Sequence, residues 1–216
     1  MLVVIGPVRA RRTGEDVVPD GLTAGIAVRA AADGSRVEVI TKLGDDGLGD
    51  AVLIALGQAA VGHVATLRDA AHATPVRAET VGADPAAEPD EAPPTRPTAT
   101  GADAMAGPAL EPGDVQLALR YITDFGALVA VHLPPSVLAE VVDAAGWASA
   151  RLVVVLDRDD AAASSLPADA VAVLAVADDG DTALADALGR YAGALDRGDE
   201  PAAAYAAFVA AGTSPS

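Results

Sequence analysis

The chain has 216 residues, enough for one sizeable domain, and its 31 acidic residues against 14 basic ones give a net charge of −17. A field of that sign repels nucleic acid and anionic membrane surfaces, which excludes both as partners. The absence of cysteine excludes disulfides and thiolate metal sites, and a core in which alanine supplies much of the 51% apolar content is expected to be thin.

Short β-type runs alternate with helical runs in the first third of the chain. LVVIGPV (Leu2 to Val8) predicts a strand, and the alanine-rich stretch from Leu22 to Ala32 predicts a helix that ends at Asp-Gly. VEVITKL (Val37 to Leu43) and VGHVATL (Val61 to Leu67) predict two further strands, with a helix between them that starts in LGDDGLGD. An aspartate of that turn is expected to cap the helix.

The apolar run from Leu2 to Val8 is also informative about the cellular location of the protein. It is too short to span a membrane, and Arg9, Arg11 and Arg12 follow it rather than precede it, which is the reverse of a secretory signal. We therefore expect a cytoplasmic protein.

The second half of the chain continues the alternation. A helix is predicted in DVQLALRYITDF, a strand in ALVAVHL, a helix in PPSVLAEVVDAAGW and a nearly all-apolar strand in RLVVVLD. The strand AVAVLAV follows, then a helix from Thr182 to about Asp196 and a last helix from Pro201 to Ala211. Strands that alternate with helices of this length predict a mainly parallel sheet covered by helices on both faces.

One segment breaks that rhythm. Gly82 to Gly113 holds seven prolines, several acidic residues and almost no bulky apolar side chain. Such a composition cannot offset the entropy of ordering, so a flexible surface excursion is expected there. We treat residues 1–216 as a single domain that contains this excursion.

The stretch VADDGDTALADAL places Asp178, Asp179, Gly180 and Asp181 between a strand and the helix that begins near Thr182. A strand that leads into a helix N-terminus presents free N–H groups that favour an anion such as phosphate, and Asp181 could then act as general base toward a hydroxyl. The alternative is that Asp181 only caps the helix. Taken alone, the turn favours the cap.

Other catalytic patterns are weak. The three histidines are far apart in sequence, and His63 and His132 lie within predicted strands, which favours structural histidines over a metal site. The sequence has no Gly-x-x-x-x-Gly-Lys-Ser/Thr loop, and its serines sit in no nucleophile elbow.

Two stretches together resemble the ribokinase-like (PfkB) carbohydrate kinases. Asp20 to Val52 resembles their N-terminal signature, in which a Gly-Gly turn and an Asn-bearing helix precede a strand and a Val-Gly-Asp-Asp-x-x-Gly turn. Leu166 to Gly212 resembles their C-terminal signature, Gly-Ala-Gly-Asp-Thr-Phe and two helices. The resemblance implies a three-layer α/β/α sandwich with a small β lid over the sugar, whose candidate elements here are residues 9–20 and 64–81.

By position, the resemblance makes Asp181 the base that deprotonates a sugar hydroxymethyl group, with Gly180 and Thr182 beside it where the ATP phosphates bind. Asp178 and Asp179 replace residues of the anion hole. A like charge about 4 Å away costs about 4 kcal/mol at an effective dielectric of about 20, as much as the ~3 to 4 kcal/mol that an anion-hole donor supplies. A Mg²⁺ bridged by either aspartate would reverse that effect.

The sugar and metal sides also depart from the family. Its Gly-Gly…Asn pattern corresponds to Asp20, Gly21 and Gly25, so the asparagine that hydrogen-bonds a hydroxyl is a glycine here. Asp16 or Asp20 are the substitutes for the family's early aspartate. Only Ala161 to Ser165 stand where the family has an Asn-x-x-Glu helix that manages Mg²⁺ and a Thr-Leu-Gly strand of the nucleotide pocket.

These three departures predict a ribokinase-like domain that lacks part of its C-terminal half and has weak or no ATP-dependent sugar kinase activity. Its ligand is expected to be a sugar-like small molecule, with no certain cofactor. The alternative is an active sugar or nucleoside kinase that uses ATP, Mg²⁺ and Asp181 as base. The thin core, together with the lid-mediated dimers of the family, predicts a homodimer.

Overall fold

The structure is a computed structural model, and it describes residues 1–77, 107–157, 160–175 and 182–212. The strands are β1 (Leu2–Ile5), β2 (Arg9–Thr13), β3 (Asp16–Asp20), β4 (Val37–Ile40), β5 (Lys42–Gly44), β6 (Val61–Gly62), β7 (Leu67–Asp69), β8 (Val76–Arg77), β9 (Ala127–Val131), β10 (Arg151–Asp157) and β11 (Val171–Ala175). The helices are α1 (Leu22–Ala32), α2 (Gly47–Gln58), α3 (Pro112–Tyr121), α4 (Pro135–Ala148), α5 (Thr182–Asp196) and α6 (Pro201–Gly212), with a 3₁₀ helix at Ala161–Ser165. Residues 82–106 of the predicted excursion lie outside the described residues. None of the described helices is long and apolar enough to cross a membrane.

Six strands form one parallel sheet at the centre of the molecule. Their order is β11-β10-β9-β1-β4-β6, and every neighbouring pair is parallel. The predicted mainly parallel sheet is therefore confirmed. The residues of β1 are all apolar and all buried, as expected for a strand that has helices on both of its faces.

Alternate strand residues point to opposite faces of the sheet and build two cores. Leu2 and Val4 of β1 pack in a cluster with α1, α2, α5 and α6, whereas Val3 and Ile5 pack in a second cluster with α3 and α4. This is the three-layer α/β/α arrangement that the resemblance implied.

Two smaller ladders accompany the central sheet. The antiparallel hairpin of β2 and β3 pairs with β8 along β2, and β5 pairs with β7. The runs Val37 to Leu43 and Val61 to Leu67, each predicted as one strand, are therefore divided. The chain leaves the central sheet after Ile40 and pairs Lys42 with Leu67. The sequence did not predict this division, because an apolar pattern does not specify which strand will be the partner.

The connection from β10 to β11, residues 158–170, contains no α-helix in its described part. The two strands pair in parallel from Val153 with Val171 to Asp157 with Ala175, and the 3₁₀ helix is the one helical element in the described part of the connection. Parallel strands are usually joined by a crossover of a dozen or more residues that contains an α-helix. The reduced C-terminal half expected from the sequence is thus visible in the fold.

Candidate functional site

The carboxyl ends of β1, β4 and β9 meet at one edge of the central sheet. From β1 the chain proceeds to β4 and β6 on one side, and it then returns to the other side of β1 with β9, β10 and β11. The strand order therefore reverses between β1 and β9. In open α/β sheets, ligands bind outside the carboxyl ends of the strands at such a reversal.

A cavity of about 310 Å³, which we name the switch-point cavity, lies at that edge. Segments that follow β1, β4 and β9 bound it, together with residues 107–110 ahead of α3. The side chains in its lining that carry a charge or a hydrogen-bonding group are Arg9, Thr41, Lys42 and His132, and its described lining contains no carboxylate. Its volume lies at the lower end of the range for small-molecule sites.

Lys42, the single lysine of the chain, is fixed at this cavity by an ion pair. Its Nζ donates to Asp114 Oδ2 at 3.0 Å, and the same oxygen accepts from the Glu111 backbone N–H at 2.9 Å. Asp114 therefore caps α3 and holds Lys42 at the same time. The hydrogen bond to Asp114 raises the pKa of Lys42 by more than partial burial lowers it, so the ammonium stays charged at neutral pH.

His132 occupies an unusual backbone position at the carboxyl end of β9. Contrary to the prediction, it lies one residue beyond the strand, and its backbone N–H donates to Val155 O at 3.0 Å. Its φ of 46° is in the left-handed region, which non-glycine residues seldom adopt. Strained backbone of this kind concentrates at functional sites. The conformation therefore supports a ligand site at the cavity.

A second, more open cleft of about 670 Å³ shares Gly21 with the first, and we name it the hairpin cleft. The β2–β3 hairpin, α1, α2 and the first turn of α5 form its walls. Four of the residues predicted for the site line it together, namely Asp20, Gly21, Gly25 and Thr182. Asp16 is exposed at the far end of β3 and lines neither space.

The Asp20 carboxylate faces two arginines of the small sheet. Arg11 Nε lies 3.2 Å from Asp20 Oδ1, and Arg77 Nη1 lies 3.7 Å from Oδ2. The side chain of Asp20 is 11% exposed, so both ion pairs form in a partly desolvated position. The arrangement ties β2, β3 and β8 together. The role of Asp20 as a sugar contact stays a prediction.

Gly25 has a packing role that the sequence did not indicate. It lies on α1 where α5 packs, and a Cβ added to it would lie 2.7 Å from Ala185 Cβ. Gly189 of α5 is similar, because its Cβ would lie 2.8 Å from the backbone oxygen of Ile26. The two glycines thus allow α1 and α5 to approach closely. An asparagine at position 25, as in the family pattern, would force the helices apart.

The LGDDGLGD turn caps a helix, as predicted. Asp46 Oδ1 accepts from the Gly49 backbone N–H at 2.8 Å at the start of α2. The same carboxylate accepts from the Thr74 backbone N–H at 2.7 Å and from the Thr74 hydroxyl at 2.8 Å. Burial alone would raise the pKa of Asp46, but these hydrogen bonds and the nearby Arg68 together hold it below its ordinary value.

Solved structures resemble the chain along nearly all of its length. Aminoimidazole riboside kinase from Salmonella enterica matches with a TM-score of 0.63 at 13% identity, covering 97% of this chain and 90% of that one. The crystal structure of Sa239 matches with a TM-score of 0.64 at 14% identity, covering 100% and 94%. The chain has the ribokinase-like fold. Fructokinase with bound ATP from Xylella fastidiosa matches with a TM-score of 0.51 at 14% identity, covering 97% and 68%. No protein-family model and no curated protein sequence matches the chain.

The turn that carries the predicted base of this ribokinase-like chain is not among the described residues. Asp178, Asp179, Gly180 and Asp181 all lie outside them, and their roles stay predictions. Thr182, the next residue, begins α5 and lines the hairpin cleft. Within the described ranges, no group of three or more His, Asp or Glu side chains could hold a metal ion.

The β10–β11 connection of the ribokinase-like chain does not fit a Mg²⁺ or nucleotide site in its described part. The 3₁₀ helix has the sequence AAASS, without an amide or carboxylate side chain. Asp160 precedes it and is used as its cap, accepting from the Ala162 backbone N–H at 2.8 Å. The Asn-x-x-Glu helix that the resemblance implies for this position has no counterpart in these residues.

The polar lining of the switch-point cavity escapes the motif-based analysis, although the sequence holds a signal for it. Thr41 and Lys42 directly follow β4, and His132 directly follows β9. Polar residues that come just after a buried parallel strand are placed at the edge of the sheet where ligands bind. The apolar pattern predicts a longer strand in each of these runs, and it therefore places Thr41, Lys42 and His132 inside strands.

Proposed function

We propose that the chain is a ribokinase-like protein that binds a small molecule at the carboxyl edge of its central sheet and transfers phosphate from ATP weakly or not at all. The observation that carries this proposal is the β10–β11 connection, where Ala161–Ser165 stands between two directly paired strands. Phosphoryl transfer depends on groups that position the nucleotide and neutralise phosphate charge. The described part of that connection contributes none.

The sugar side supports the same proposal. Gly25 offers no side chain to a hydroxyl and instead packs against Ala185. Asp20 faces Arg11 and Arg77 across the small sheet. Two positions that the resemblance assigns to sugar recognition are therefore engaged in packing and ion pairing, which is consistent with a site that has changed its ligand or lost its reaction.

The solved structures of this fold include an aminoimidazole riboside kinase and a fructokinase with bound ATP. We extend to this chain the binding of a small molecule, for which the switch-point cavity at the sheet edge is our candidate site. The homodimer stays a prediction, which the molar mass from light scattering tests, and the cytoplasmic location stays an expectation.

An active kinase is the second candidate, and the hairpin cleft favours it. Thr182 lines that cleft and directly follows Asp181 in the chain. In an active enzyme Asp181 would accept the proton of the acceptor hydroxyl. The cleft is open enough to admit a substrate beside Thr182.

Nucleotide binding separates the two candidates. A ligand present at 100 times its Kd adds about 2.7 kcal/mol of stability. We expect no change in the melting temperature of the wild-type protein at millimolar ATP and Mg²⁺, measured by differential scanning fluorimetry. A clear increase that Asp181→Asn alters and Asp186→Asn leaves unchanged would contradict the proposal. Asp186 is the matched control because it is an exposed aspartate of α5, five residues after Asp181 in the sequence.

A further inference from the structure

The switch-point cavity is basic in a chain that is strongly acidic. Arg9, Lys42 and His132 are the titratable side chains of its described lining. The whole chain has 31 acidic residues and 14 basic ones, so composition alone does not account for a lining with basic groups and no carboxylate. The distribution of charge therefore points to a ligand of negative charge.

Thr41 adds a hydrogen-bonding group that the described part of the chain does not use. Its side chain is fully buried and lines the cavity. Among the described residues, its Oγ1 has no hydrogen-bond partner. Buried hydroxyls are nearly always hydrogen-bonded, because losing water without gaining a partner is costly. An oxygen atom of a ligand in the cavity would be that partner.

The backbone at the cavity also favours negative charge. Gly21 lines it and is the N-cap of the 11-residue helix α1. That helix has no side-chain cap and no acidic residue in its first turn. The positive end of the helix dipole is therefore not compensated by a carboxylate of its own first turn.

The ion pair with Asp114 leaves Lys42 with donors that an anion can accept from. Asp114 accepts one hydrogen bond from Lys42 at 3.0 Å, and an ammonium group has three donors. Asp157 Oδ1 lies 3.9 Å from His132 Nε2, beyond hydrogen-bond distance. The net charge of −17 repels anions from farther away, but salt screens exposed charges beyond about 8 Å at physiological ionic strength.

We propose that the switch-point cavity binds an anionic small molecule of monosaccharide size, a phosphate ester or a carboxylate. Arg9 and Lys42 contact the anionic group, and the Thr41 hydroxyl donates to one of the ligand's oxygens. Charge-assisted hydrogen bonds of this kind are stronger than those to a neutral hydroxyl. This inference rests on the proposed binding function and specifies the chemical class of its ligand.

Three ligands with one carbon skeleton test the inference. The full-length protein is titrated calorimetrically with ribose, ribose 5-phosphate and ribonate. The Kd of at least one anion is expected to be about tenfold or more below that of ribose, which corresponds to about 1.4 kcal/mol. A preference for ribose 5-phosphate assigns a phosphate ester, and a preference for ribonate assigns a carboxylate.

Matched variants locate the site. Arg9→Gln and Thr41→Val are each expected to weaken binding of the anion about fivefold or more, because the first removes a positive charge and the second removes a hydroxyl donor. Arg12→Gln is the control for charge, since Arg12 is exposed on the same strand and lines neither cavity. Thr23→Val is the control for the hydroxyl. Thr23 is also fully buried, with an Oγ1 that has no partner among the described residues, but it does not line the cavity.

The fold of these variants is checked independently. Thr41→Val is nearly isosteric and removes a hydroxyl that has no partner within the described ranges, so its melting temperature is expected to equal or exceed that of the wild type. Weaker anion binding by this variant at an unchanged melting temperature supports the site. Equal weakening by Thr23→Val would show that the loss is not local and would overturn it.

The inference and the proposed function fail in different ways. Tighter binding of ribose than of both anions, or no anion binding below about 10 mM, overturns the anionic ligand class. Binding of ribose alone leaves the proposed binding function standing. Transfer of phosphate from ATP to a sugar at about one turnover per second or faster overturns the proposed weak or absent catalysis, while the ligand class is judged from the same three affinities.

Discussion

Asp46→Ala is expected to lower the free energy of unfolding by about 3 kcal/mol at pH 7. The substitution removes the cap of α2, which is worth about 1 kcal/mol, and leaves the buried backbone N–H of Thr74 without its acceptor, which costs about 1 to 3 kcal/mol. In a domain of this size, that loss lowers the melting temperature by roughly 6 to 12 °C. Urea denaturation and calorimetry measure both quantities.

Asp45→Ala is the matched control for that substitution. Asp45 is the preceding residue, 62% exposed, and its contact is an ion pair at 3.3 Å from Arg68. Its removal is expected to change stability by at most about 1 kcal/mol. Equal stability losses in the two variants would show that the hydrogen bonds of Asp46 are not the cause.

The effect of Asp46→Ala depends on pH in a defined direction. The folded protein lowers the pKa of Asp46, so the carboxylate stabilises the fold at every pH above its unfolded value of about 3.9. That stabilisation is lost as the pH falls through the lower, folded pKa. The difference between wild type and variant is therefore expected to be full at neutral pH and to shrink below about pH 4.

Gly25→Ala is expected to destabilise the protein by about 1 to 3 kcal/mol, although alanine is the better helix former. The added Cβ would lie 2.7 Å from Ala185 Cβ, so α1 and α5 must separate. Gly25→Asn, which restores the residue of the family pattern, is expected to cost at least as much and to add no kinase activity. Thermal unfolding and an ATP-consumption assay measure these outcomes.

Two further variants isolate the close approach as the cause. Gly146→Ala in α4 adds the same methyl group where no atom lies within 4 Å, and it is expected to raise stability by about 0.5 to 1 kcal/mol. Ala185→Gly combined with Gly25→Ala removes the clash, so the double variant is expected to be more stable than the sum of the two single effects. Additive losses would argue against the packing account.

The layered fold was predictable because its signals are local. Apolar strand runs and helical periodicity identify β1, α1 and β10 without knowledge of their partners, and the Asp46 cap follows from a turn followed by a helix. The division of Val37 to Leu43 was not predictable in this way. Ile40 and Lys42 differ in the strand they pair with, and pairing partners are set by contacts far along the chain.

The candidate site was predictable only in part, for a similar reason. Asp20, Gly21, Gly25 and Thr182 were selected by position in two motifs, and the structure does bring them to one cleft. The packing role of Gly25 depends on Ala185, which is 160 residues further along the chain. The sequence around Gly25 therefore does not indicate that role. The basic lining of the switch-point cavity likewise depends on three strand ends that only the sheet order brings together.

Phosphoryl transfer itself tests the central claim most directly. Purified wild-type protein is incubated with γ-labelled ATP, Mg²⁺ and a panel of sugars that carry a hydroxymethyl group, and labelled sugar phosphate is followed over hours. The account predicts at most slow product formation by the wild type, far below about one turnover per second. Product that wild type and Asp186→Asn both form at about one turnover per second or faster, and that Asp181→Asn does not form, would contradict it and establish an active kinase.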